Sequence, residues 1–326
     1  MPAGPSFVIP VIAKNMPNKS EPLEAHVFFT KSLLRMIEYA PALRHDVLAI
    51  IMDGLIKIDT DIQIEIEELS PEEIQEVNDV VFALDDLISD TQMLSSTSPV
   101  DSMETFENSD SEYEGGVITS NFKEMFTKLD ALMNLMIQYL SGLASTTEVN
   151  SEDSVLTSVF YSLLEIFETL ILPTFRIKSV QFIIFYATSL DPSFPNIFMS
   201  TLVTQILGNS INGIAATSYL GSFIARGKHI DTSSVRKCLA ILNSFSLTFC
   251  EKNEDQIKNV SSFKPERFAP LYSSIQAILY IFCFHWRALT IQHDDEPKLG
   301  VWPDELLGLQ RVLISKFNPL SVNHIV

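Results

Sequence analysis

From His26 to Ala40 the apolar residues Phe29, Leu33, Met36, Ile37 and Ala40 recur at steps of three and four, the spacing of one helix face. Pro41 interrupts, and Leu43, Val47, Ile51, Leu55 and Ile58 resume the same rule. Two amphipathic helices joined by so short a link fold back on each other as an antiparallel pair. A third stripe runs through Phe122, Met125, Phe126, Leu129, Leu132, Met133, Met136 and Leu140, with Asn121 and Glu124 spaced as a capping-box variant at its start. A fourth, from Val155 to Ile171, is predicted to stop at Pro173. Further helices are predicted over 175–190, 196–207, 211–227, 233–250, 268–290 and 304–316. Only Asp61–Glu67 alternates like a strand. Ile62, Ile66 and Leu69 also satisfy a helix, and no second strand is evident, so helix is the reading.

About ten successive helices make the chain all-α and leave two architectures, a compact bundle or a stack of helix pairs. The run 271–284 is apolar on more than one side, which suits a helix of the inner layer. No signature repeats at a fixed period, which degenerate helical pairs also allow.

Charge divides the chain unevenly. No Lys or Arg lies between Lys57 and Lys123, whereas eighteen acidic residues do; the remainder holds 23 acids against 22 bases, so this stretch supplies nearly all of the net −19. Within it, 89–116 combines Ser, acids, Pro and a Gly pair with little to bury, and is predicted to be a disordered acidic insertion in a single domain spanning 1–326. Ser109 and Ser111 each precede a Glu by three residues, the spacing an acid-directed kinase uses, and are candidate phosphorylation sites. A solvated loop untouched by any kinase explains the same composition.

The sequence carries none of the familiar catalytic motifs, GxSxG, HExxH or GxGxxG. Cys238, Cys250 and Cys283 sit in apolar helical runs without CxxC spacing, which predicts reduced packing thiols and an intracellular setting. The six histidines form no i, i+4 pair, and no metal site or cofactor is expected. Gly221–Lys228 imitates a phosphate loop, but five residues separate its glycines and His229 follows the lysine. His293-Asp-Asp-Glu296, followed by Pro297, reads as a solvated turn. The prolines at 2, 5, 10 and 17 argue against a signal peptide. The longest apolar run, Ala277–Phe284, is too short to span a bilayer, so neither a membrane nor a small-molecule substrate is expected as a partner.

Arg226, Lys228, His229, Arg236 and Lys237 gather about one helix–helix connection. Arg226, Lys228, Arg236 and Lys237 are the candidate partner-binding residues. Cations at a helix C-terminus also simply complement its dipole, by about 0.3–1 kcal/mol each. Aromatics do not interleave with them, which disfavours stacking on single-stranded nucleic acid.

Several segments resemble the RNA polymerase I-specific transcription initiation factor family. They are Ile9-Pro-Val-Ile-Ala-Lys-Asn15, Pro41-Ala-Leu-Arg-His45, Leu55-Ile-Lys-Ile-Asp59 running into an acidic insertion, Lys128-Leu-Asp130, Leu172-Pro-Thr174 and Val180-Gln-Phe-Ile-Ile-Phe-Tyr186. More specific are Tyr219-Leu-Gly-Ser-Phe-Ile-Ala-Arg226, Gln276-Ala-Ile-Leu-Tyr-Ile-Phe-Cys-Phe284 and Ile314-Ser-Lys-Phe-Asn-Pro-Leu320. Their order and spacing match the family over nearly the whole chain. The resemblance implies an α-solenoid of HEAT-like antiparallel helix pairs and a non-enzymatic factor of the nucleus and nucleolus. Its implied partners are RNA polymerase I subunits and a promoter-bound initiation factor complex, without direct sequence-specific nucleic-acid binding. It also implies that the chain corresponds to the central part of longer family members. Two positions depart from the family: His285 stands where an arginine is usual, and Gly227 where alanine is common. A generic α-solenoid adaptor unrelated to transcription is the alternative. The motifs themselves read as packing: Tyr219, Leu220, Phe223 and Ile224 facing neighbours, and Gly221 allowing close approach.

Overall fold

The computed structural model describes residues 4–69, 114–146, 154–174, 177–208, 212–257, 265–290 and 303–320. Every regular element among them is helical, an all-α fold of packed, solenoid-like helices. The helices are α1 (Gly4–Lys14), α2 (Leu23–Tyr39), α3 (Arg44–Glu68), α4 (Glu114–Thr146), α5 (Val155–Ile166), α6 (Gln181–Thr188), α7 (Phe194–Leu207), α8 (Gly213–Arg226), α9 (Thr232–Ile257), α10 (Ala269–Thr290) and α11 (Leu309–Leu313). No helix is long and apolar enough to cross a membrane among the described residues. The chain divides into two compact units, one of Met1–Ile166 with Arg176–Ile183, the other of Phe167–Phe175 with Ile184–Val326.

In the first unit α3 is the encased helix. It buries Val47, Leu48, Ile51, Met52, Leu55, Ile56, Ile58 and Ile62, and packs against α1, α2, α4 and α5. The ambiguous run 61–67 is its last two turns, because Ile62 and Gln63 continue the buried stripe into the core. Burial of such a stripe, at about 1.5–3 kcal/mol per large apolar side chain, outweighs local strand propensity.

Polar pins lock this unit's segments. Asp59 is fully buried on α3, and its Oδ2 accepts the backbone N–H groups of Lys178, Ser179 and Val180 at 3.1, 2.8 and 3.1 Å. Those amides are therefore committed outside a helix, and α6 starts at Gln181 rather than at 175 as the periodicity suggests. Lys128 on α4, also buried, donates to the Lys19 carbonyl at 2.8 Å and pairs with Glu124 at 2.7 Å. His26 Nε2 donates to the Asn18 carbonyl at 3.0 Å, so two side chains hold the α1–α2 connection.

The second unit is organised by aromatic rings. Phe198 meets Phe167, Phe185 and Phe223 edge-on, with centroids 5.0, 5.9 and 4.9 Å away, and Tyr219 meets Phe167 at 5.2 Å. Edge-to-face pairs add about 0.5–1.5 kcal/mol each beyond area burial. Phe268 packs on Phe317, and Tyr272 donates its hydroxyl to the Phe317 carbonyl at 3.0 Å, which seats the C-terminal segment.

Gly4–Lys14 is helical, an element the apolar spacing did not pick out, and Pro10 within it is exposed. Three further expectations need correction. The 155–171 run changes at Phe167 into a π-turn, closed by Leu172 N–H on the Phe167 carbonyl. The 304–316 run is broken: Asp304–Leu306 is a 3-10 turn, Gly308 adopts φ +84°, and only Leu309–Leu313 is α-helical. Finally, α10 is inner-layer only over its first half; from Tyr280 onward one side opens to solvent. The expected insertion 89–116 lies outside the described residues except for its end, where α4 already begins at Glu114.

Candidate docking surface

The basic cluster sits where α8 gives way to α9. Gly227 ends α8, its N–H bonded to the Phe223 carbonyl at 2.8 Å. A Cβ at this position would come within 2.5 Å of the Ile230 side chain and 2.9 Å of the Phe223 carbonyl, so the absent methyl makes room for a tight exit. Asp231 then starts α9: its Oδ1 accepts Ser234 N–H at 2.8 Å and its Oδ2 accepts the Ser234 hydroxyl at 2.7 Å. These bonds, the hydroxyl's above all, hold the Asp231 carboxyl below the usual carboxylate range. The sequence signal for this cap was Asp231 and Ser234, three apart at a helix start.

The five basic residues separate into two kinds. Arg236 is turned inward: Nη1 reaches both oxygens of Glu305 at 3.0 Å, and Nη2 donates to the Leu289 carbonyl at 2.7 Å. It thereby satisfies a free carbonyl at the C-terminal end of α10 and holds the Asp304–Leu306 turn. Asn243 supports that turn by donating to the Glu305 and Leu307 carbonyls at 3.0 and 2.9 Å. Arg236, a candidate contact on sequence, is thus an internal strut. His229 is likewise engaged. The Thr188 hydroxyl donates to the Phe185 carbonyl, which leaves it to accept from His229 Nε2 at 3.0 Å, and the imidazole stands edge-on to Phe223. Partial burial lowers the pKa of His229.

Lys228 and Lys237 are exposed. Arg226, exposed at the end of α8, donates to Ser222 Oγ at 2.7 Å and lies over the Tyr280 ring of α10, 5.9 Å from its centroid. The two helices approach closely here: a Cβ on Gly221 would lie 3.3 Å from Ala277 Cβ, as the glycine suggested. His285 donates from Nε2 to the Ile224 carbonyl at 2.8 Å, capping the last turn of α8. Leu220, Phe223 and Ile224 are buried and Tyr219 half-buried, so the most specific motif is packing that ends in one surface arginine.

No group of three or more His, Cys, Asp or Glu able to hold a metal occurs among the described residues. Cys238 is buried, with its thiol pushed up to about 11 by burial; Cys283, read as a packing thiol, is exposed. Ser109 and Ser111 lie outside the described residues, as does His293-Asp-Asp-Glu296.

Comparison with known proteins follows the same lines. The profile of the family described as RNA polymerase I specific transcription initiation factor RRN3 matches residues 1–325. The chain belongs to this RRN3 family. The RRN3 factor of Schizosaccharomyces pombe is 30% identical over 98% of the chain and 53% of its own length. The Saccharomyces cerevisiae factor is 28% identical over 98% and 54%, and that of Mus musculus 26% over 99% and 47%. The crystal structure of RNA polymerase I transcription initiation factor Rrn3 superposes with a TM-score of 0.70 at 25% identity, covering 97% of this chain and 54% of that one. The chain thus spans about half the length of these RRN3 relatives.

Proposed function

We propose that this chain acts as a transcription initiation factor for RNA polymerase I, bridging the polymerase to promoter-bound factors in ribosomal RNA synthesis. The RRN3-family match over residues 1–325 carries the reading. The described residues support it: packed helices and exposed cations suit a scaffold that works by contact area and a few anchors. In this reading the protein is not an enzyme and needs no cofactor. It works in the nucleus, concentrated in the nucleolus, with RNA polymerase I subunits on one surface and an initiation complex on another. Residues 1–326 act as one helical-repeat domain, and the acidic insertion 89–116 shields it from stray nucleic acid by like-charge repulsion. Arg226, Lys228 and Lys237 remain contact candidates on the surface, and Ser109 and Ser111 phosphorylation candidates.

Affinity purification of the tagged chain from nuclear extract tests the central claim. RNA polymerase I should co-purify and RNA polymerase II should not. Selective recovery of RNA polymerase II would overturn the assignment. Deleting 95–114 should leave polymerase binding intact and raise retention on DNA; loss of polymerase binding would rule out a mere shield.

A further inference from the structure

The second half of α10 presents an open stripe unlike the rest of the helix. Gln276, Tyr280, Cys283, Phe284 and Arg287 follow one another at helical steps on the side away from the buried Ile278, Ile281 and Leu289. Tyr280 is 38% exposed, Phe284 58% and the flanking Trp286 42%, so three large rings reach solvent within two turns. Tyr280 and Phe284 pack on each other with centroids 4.9 Å apart. Arg226 covers Tyr280 from α8, and the Arg287 guanidinium lies 5.3 Å from the Trp286 ring centroid. Aromatic rings held against arginines are the composition of an interface anchor, not of an ordinary solvated surface.

Its charge is as unusual as its apolarity. The chain has 41 acidic residues, yet α8 and α10 contain none, and their ionised side chains are Arg226 and Arg287. We infer that the Arg226–Tyr280–Phe284–Arg287 surface is a docking site for an acidic protein segment carrying aromatic or large apolar anchors. Carboxylates of such a segment would pair with the two guanidinium groups, while its apolar side chains cover Phe284 and Tyr280. A nucleic acid would offer anions too, but Tyr280 and Phe284, packed on each other and open to solvent, present a joint apolar surface that large apolar side chains cover, and nucleic-acid binding is an outcome of the test. The inference deepens the docking reading above and rests on it. Peptide binding and polymerase recovery are scored separately, so a chain that takes the peptides but not RNA polymerase I sinks the identity of the complex and leaves the surface standing.

The test uses the full chain and synthetic peptides of about twelve residues, rich in Asp and Glu with one or two Phe or Trp, each paired with its Asn and Gln counterpart. Fluorescence anisotropy should show the acidic set binding at least about tenfold more tightly than the amide set. At unchanged melting temperature the double variant Arg226→Glu, Arg287→Glu should abolish that preference and Phe284→Ala should weaken both sets, whereas Lys237→Ala should do neither. Lysine-containing peptides with the same aromatics should bind the double-Glu variant, which separates a lost contact from a lost fold. Equal binding of acidic and amide peptides would overturn the proposal, as would tighter binding of a single-stranded oligothymidine that competes for the surface. A concentration-dependent dimer that Phe284→Ala dissolves, without peptide binding, would assign the face to self-association instead.

Discussion

Asp59 and Arg236 do the same job in different units with opposite charge. Each reaches from a long helix to residues far away in sequence, Asp59 to the backbone just before α6 and Arg236 to the last turn of α10 and to Glu305. Asp59 takes three amides with one oxygen, and its Oδ1 is buried without a hydrogen-bond partner among the described residues. Arg236 has a counter-ion, Glu305, and is partly open to solvent. The buried pin therefore relies on aligned peptide dipoles and carries a desolvation cost, while the half-open strut is neutralised by its partner. Two consequences separate them: how much stability is lost when the charge is removed, and how that loss varies with pH.

The largest effect is expected at Asp59. Asp59→Ala leaves three amides without their acceptor, at least one of them fully buried, and should cost about 3–5 kcal/mol. A urea titration followed by circular dichroism reads this as a lower midpoint. Asp59→Leu, which keeps volume but offers no acceptor, should be no better than alanine. If leucine restored wild-type stability, apolar filling rather than amide capture would be the role of this position.

Asp59 also shows where sequence reading reaches its limit. The helices around it were legible, because their apolar stripes bury as the period dictates; the core of α3 follows Val47, Ile51, Leu55 and Ile58 step for step. Lost were the places where one side chain redirects distant backbone. Asp59 stands one residue after Ile58 on a buried flank, and only that acid in a greasy neighbourhood hinted at a partner. The start of α6 and the break at Gly308 depend on bonds spanning more than a hundred and about sixty residues respectively, which no local window contains. The docking cations were legible as a group. Their division was not, since Arg236 and Lys237 are neighbours in sequence and only the helix's rotation sends one inward.

Arg236→Ala should come next, at about 2–3 kcal/mol, because it strips Glu305 of its counter-ion and the Leu289 carbonyl of its donor together. Arg236→Lys should recover only part of this, since one ammonium cannot span both Glu305 oxygens and the carbonyl in the fork geometry of a guanidinium. Lys237→Ala, one residue on and exposed, should change the melting temperature negligibly. Thermal melts of the three variants check the order. A Lys237 effect equal to that of Arg236 would mean general charge balance, not the strut, sets stability here.

The smallest effect sharpens the contrast through pH. Asp231→Ala removes the α9 cap and should cost about 1 kcal/mol at neutral pH. Because its folded pKa is lowered, chiefly by the Ser234 hydroxyl, its contribution is present above about pH 4, the usual aspartate value, and fades as pH falls through the folded value. Asp59 has the reverse sign. Burial outweighs its amide bonds and raises its pKa, so the native state holds the proton more tightly than the unfolded chain does. Its contribution is full below the unfolded value and declines as pH rises through the folded one. Urea titrations at pH 4 and pH 7 should therefore show the cost of Asp231→Ala growing towards neutrality, and the cost of Asp59→Asn shrinking over the same interval. Parallel behaviour of the two variants would mean that burial does not govern Asp59, and that its three amides stabilise the carboxylate as the Ser234 cap stabilises Asp231.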